Sequence, residues 1–100
     1  MLYLVDVKAS MERANEIDRE EGPGATFKKI VERFHPQSFW GNPARREGIM
    51  VVDLQNSADM AELMYVLTWF TGSEPTFTPL MGPEGFDEAI KAAKKIISPP

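Results

Sequence analysis

The stretch GIMVVDL, residues 48 to 54, carries an unbroken apolar run from Ile49 to Val52 and no proline. Read as a strand, it places Met50, Val52 and Leu54 on one face and Ile49 and Val51 on the other. LYLVDVK, residues 2 to 8, has the same character, with Tyr3, Val5 and Val7 opposed to Leu2 and Leu4. A sheet that is apolar on both faces has to be covered on both. These two segments therefore read as the inner strands of a small sheet.

The flanking sequence supplies the other elements. Ser10 can cap a helix that starts at Met11 and runs to Glu21, where Gly22–Gly24 interrupt it; Phe27, Ile30, Val31 and Phe34 then resume a helical spacing until Pro36. The residue before a proline is pushed toward extended backbone, so His35 marks the passage into a strand over Gln37 to Gly41. GNPARREG reads as a turn. Asn56 and Ser57 cap a helix that Gly72 closes, EPTFTPLM (Glu74 to Met81) is a fourth strand, and a last helix starts near Pro83. That helix carries Glu84, Asp87 and Glu88 early and Lys91, Lys94 and Lys95 late, complementing its dipole. Its apolar stripe is Phe86, Ala89, Ile90, Ala93 and Ile97.

The order β-α-β-β-α-β is that of a ferredoxin-like sandwich, here with an extra C-terminal helix. In this topology the first and third strands are central and the second and fourth are edges. Proline deletes a ladder donor and belongs at edges and strand starts. Pro36 and Pro43 bracket the second strand, Pro75 and Pro79 fall in the fourth, and the central pair has none. The expectation is a single α+β domain over residues 1–100 with a four-stranded antiparallel sheet. HPQSFWGNP becomes its edge strand.

Two crossover helices cover one sheet face, which leaves the other for a second subunit or for the last helix. The helix from Asn56 to Thr71 has a core stripe of Met60, Leu63, Met64 and Leu67, yet Tyr65, Val66 and Trp69 lie largely outside it. A helix apolar nearly all round is expected to be buried nearly all round. A homodimer is the expected assembly, closed two-fold pairs being the commonest.

The element order, the opening LYLVDV, the turn into GIMVVDL and the closing EPTFTPLM plus helix together resemble the dimeric α+β barrel superfamily, and within it the short uncharacterised bacterial members. The resemblance implies two sheets facing each other as a barrel, with a cavity between sheet and helices in each subunit. The superfamily includes cofactor-independent monooxygenases, isomerases, haem-degrading enzymes and stress-related proteins without known activity. Haem-degrading members have a helical histidine as iron ligand, whereas His35 precedes a proline at a strand entrance. Monooxygenase members use asparagine, tryptophan and arginine around the substrate; Asn42, Trp40, Trp69, Arg45 and Arg46 are present in kind but not in matching spacing.

Composition limits the remaining functions. The net charge of -4 lacks the basic footprint of a nucleic-acid binder. The longest apolar region, LMYVLTWF, is too short to span a bilayer, and the start has no basic leader, so no membrane attachment and a cytoplasmic setting are expected. The absence of cysteine excludes disulfides, thiolate nucleophiles and cysteine-held metals.

Candidate site residues each have a functional and a structural reading. Asp6, mid-strand beside Leu2 and Leu4, is a proton-abstracting base or a solvated strand end; His35 is a general acid or base or a hydrogen-bonded junction residue. Trp40, Tyr65 and Trp69 line an aromatic pocket or pack at an interface, and Arg45 clamps an anion or sits solvated in a turn. Asp6 with His35 does not make a metal site, and no cofactor motif is present. The expected function is binding of a small apolar or aromatic ligand in a sheet-helix cavity. A cofactor-independent monooxygenase or isomerase and a non-catalytic interaction module are the alternatives.

Overall fold

A computed structural model describes residues 1–20 and 24–97. Its elements are β1 (Leu2–Lys8), α1 (Met11–Glu20), α2 (Gly24–Phe34), β2 (Ser38–Asn42), β3 (Glu47–Asp53), α3 (Ser57–Thr71), β4 (Thr76–Leu80) and α4 (Pro83–Ile97). The strands form one antiparallel sheet in the order β2-β3-β1-β4. The chain is therefore α+β, with a ferredoxin-like sheet and an extra C-terminal helix. Both proline-free apolar strands are central. Pro79 sits in edge strand β4, while Pro36, Pro43 and Pro75 lie just outside the strands. The expected interruption between α1 and α2 falls mostly on Glu21–Pro23, outside the described residues.

The register sorts side chains into two faces. Tyr3, Val5 and Val7 of β1 line up with Phe77 and Pro79 of β4 and with Gly48, Met50 and Val52 of β3. This face meets the helices: Val5, Met50, Val52, Leu63 and Leu67 are essentially solvent-free, and Ile30 and Phe34 of α2 join them. Burying five such side chains contributes on the order of 1.5–3 kcal/mol each, which is why the β1-β3 pair anchors the body.

Helix α3 is capped as its sequence requires. The Asn56 side chain accepts from the Asp59 backbone N–H at 2.9 Å, and Gly72 closes the helix in the left-handed region at φ 73. Its buried residues are Leu63, Leu67, Phe70 and Thr71, with Met60 and Val66 packed beside them. Met64 is exposed rather than core, and Tyr65 and Trp69 point outward at 75% and 70% exposure. The helix is thus half covered, because a single sheet face contacts only one side of it.

His35 departs from the expected extended geometry: it adopts φ 49, in the left-handed region. Its N–H still donates to the Val31 carbonyl at 2.9 Å, so it ends α2 as a terminal turn before Gln37 joins the ladder through Val51.

The second sheet face carries Leu2, Leu4, Ile49, Val51, Leu80 and Trp40. Helix α4 does not cover it. No residue of α4 is buried, and the described chain measures 60 × 25 × 22 Å, so this helix, about 22 Å long at 1.5 Å per residue, projects from the body.

Candidate functional site

Two depressions flank the end of the sheet where β1 finishes and the β2-β3 turn closes. The turn is fastened there: Ala9 N–H donates to the Arg46 carbonyl at 2.9 Å, and Arg46 itself sits at φ 55. The Asn42 side chain accepts from the Arg45 N–H at 3.3 Å and helps shape the turn.

On the helix side lies an apolar cleft of about 260 Å³. Ala14 and Ile17 of α1, Phe27 of α2, Phe39 of β2 and Phe70 of α3 form its walls, and Val7 lies on its floor. Phe27 packs edge to face on the other two phenylalanines, 4.9 Å from Phe39 and 5.6 Å from Phe70, ring centre to ring centre. The opening has a specific origin. Gly41 and Gly48 are direct partners across β2 and β3 and share the helix-side face with Phe39 and Met50. A pair of missing side chains at facing ladder positions leaves the depression that any two larger residues would fill. Arg46, Asn42 and Glu47 supply the polar rim.

On the other side lies a broader, more polar cleft of about 730 Å³, where Asp6 and Lys8 meet Arg45, Arg46, Glu47 and Glu74. Asp6, Ile49, Trp40 and Thr76 occupy one cross-strand row, with Asp6 facing Ile49 and Thr76, and Trp40 facing Ile49. Asp6 and Trp40 are thereby two strands, about 10 Å, apart.

The structure brings Asp6 and Arg45 together in the polar cleft and places Trp40 in the same cross-strand row as Asp6, although Trp40 lines neither cleft. His35 is exposed at the far end of β2 and lines neither cleft. Tyr65 and Trp69 lie on the outer side of α3 and line neither cleft. Trp69 instead lies under the Arg13 guanidinium at 5.7 Å, while Arg13 Nε donates to the Phe70 carbonyl at 2.8 Å and its Nη1 pairs with Glu16 at 3.1 Å. Arg13 thereby satisfies a terminal carbonyl of α3 and ties α1 to it.

Sequence reasoning missed Phe27, Phe39 and Phe70 as cleft walls. The available signal was the placement of Gly41 and Gly48 on either side of the turn, which pairs them once the hairpin closes.

Elsewhere the charged groups have surface roles. Arg33 bonds Glu62 and Asp59 at 3.0–3.1 Å, and these bonds raise its pKa above the ordinary guanidinium value, so it is permanently charged. Among the described residues no three His, Cys, Asp or Glu side chains could together hold a metal ion. Likewise, no described helix is long and apolar enough to cross a membrane. No family model matches the chain, and no curated protein is detectably similar to it.

Proposed function

We propose that the protein is a homodimeric α+β barrel protein that holds a small apolar or aromatic molecule in the phenylalanine-lined cleft. The observation that carries this reading is the Gly41-Gly48 pair, which leaves an opening beside three aromatic rings linked through Phe27. A volume of about 260 Å³ suits one or two rings, since an apolar cavity of about 150 Å³ already accepts benzene. Edge-to-face contacts favour an aromatic guest, and the rim of Arg46 and Asn42 offers donors to one polar substituent.

The dimer is supported by the uncovered second sheet face, where Leu2, Leu4, Ile49, Val51 and Leu80 stand together in register. The apolar sheet face is the surface for it, in keeping with the resemblance to the dimeric α+β barrels.

The test is a thermal-shift screen of one- and two-ring aromatic compounds. A ligand at about one hundred times its Kd adds about 2.7 kcal/mol to stability, which a melt resolves easily. Uniform silence across the screen, with Gly41→Val indistinguishable from the parent, would sink the proposal.

A second reading is favoured by Asp6, half-buried within the polar cleft beside Lys8 and Arg45. There it would act as the base of a cofactor-independent oxygenase or isomerase. Asp6→Asn would then abolish turnover at an unchanged melting temperature; turnover that survives the substitution excludes it.

A further inference from the structure

Helix α4 is the least explained element of the fold. It buries nothing, projects from the body, and has an apolar stripe with Phe86 and Ile97 at 58% and 77% exposure. Its pattern is specific. Pro83, Phe86, Ile90, Ala93 and Ile97 recur at spacings of three, four, three and four, the a/d seam of a two-helix coil. Ala89 and Ile96 flank this seam on one side, and Asp87 and Lys94 flank it on the other. Charge is also segregated along the helix: Glu84, Asp87 and Glu88 occupy the first half and Lys91, Lys94 and Lys95 the second.

We propose that α4 pairs antiparallel with α4 of a second copy of this chain. The seam then stacks as Phe86 on Ile97 of the other copy and Ile90 on Ala93 of the other copy, each layer occurring twice by the two-fold axis. In the same register Asp87 stands beside Lys94 of the other copy, and Ala89 beside Ile96, again twice each. One alignment therefore satisfies the apolar layers, both ion pairs and the opposed helix dipoles. A parallel pair fails on charge, because it sets the acidic half against the acidic half and the basic against the basic. A foreign groove would need an apolar channel and an inverted charge gradient; α4 itself supplies both.

This contact is distinct from the sheet-face dimer, and the experiment addresses α4 alone. Asp87→Lys and Lys94→Asp are made separately, and self-association of each is followed by sedimentation over a dilution series. Each reversal places two like-charge contacts across the pair and is expected to raise the dissociation constant about tenfold, equivalent to about 1.4 kcal/mol. Mixing the two variants one to one restores the contacts, lysine to aspartate on both sides, and is expected to recover the parent constant. No residue of α4 is buried, and circular dichroism of each variant checks that the chain stays folded. Self-association indifferent to both reversals would overturn the proposal, as would a mixture no tighter than its components or a parent chain that is monomeric throughout. A sheet-face dimer would survive the first two outcomes and be seen as such, whereas a chain monomeric throughout would remove both contacts.

Discussion

Gly41 and Gly48 face each other across the β2-β3 ladder on the side that meets the helices. Neither has a positive φ, so backbone freedom is not what they provide. What they provide is space. A Cβ on Gly41 would approach only the Glu47 carbonyl, at 3.9 Å, and one on Gly48 would make ordinary contacts with Phe39 and Val7 at 3.8 and 3.9 Å. Glycine in a strand costs stability relative to a β-branched residue. That cost is borne in the two positions that keep the aromatic cleft open.

Gly41→Val is therefore expected to stabilise the fold by about 0.5–1 kcal/mol, raising the melting temperature by about 2–8 °C, while it removes any aromatic-ligand stabilisation. A melt with and without the best compound from the screen checks both halves. Retained ligand stabilisation would show that the guest lies elsewhere.

Arg13 offers a second measurement, because one guanidinium bonds the Phe70 carbonyl, pairs with Glu16 and covers Trp69. Arg13→Lys keeps the charge and loses the planar donor, and is expected to cost about 1 kcal/mol. Trp69→Ala should cost about 0.5 kcal/mol, and the two losses should not add, since they share the stacked contact. Urea unfolding of the cycle gives the coupling; strict additivity would mean the stacking contributes nothing.

His35 holds a left-handed conformation that glycine adopts without strain. His35→Gly is expected to be neutral to stabilising, by up to about 1 kcal/mol, and to leave ligand binding unchanged. Loss of binding or turnover in this variant would restore the histidine to a functional role.

Leu4 lies at the centre of the exposed sheet face, between Val51 and Thr78 in register. Leu4→Asp forces a carboxylate into the proposed sheet contact, an arrangement that opposes association strongly. Light scattering should fall from about twice the 11.2 kDa chain mass toward the single-chain value, with the far-ultraviolet spectrum retained. An unchanged mass would move the dimer contact off this face.

The strand order, the central position of β1 and β3, and the edge placement of β2 and β4 were all legible in the sequence. Alternation, glycine and proline act over a few residues, and those local rules suffice to sort inner strands from edges. The capping of α3 by Asn56 and its closure at Gly72 were legible for the same reason. The site was not. Asp6 and Trp40 share a face only because the ladder registers align Asp6 with Ile49 and Ile49 with Trp40, Arg45 meets Asp6 only through the turn that closes the polar cleft, and His35 stands apart because α2 ends at the opposite end of β2. That Arg13 lies over Trp69 is likewise decided only by the tertiary structure, because the two are 56 positions apart in the chain. The cleft walls come from α1, α2, β2 and α3, and their opening depends on two glycines that meet only when the hairpin closes. Local preferences are written residue by residue in the chain, whereas a cavity is a relation among distant residues that exists only once packing has set their distances.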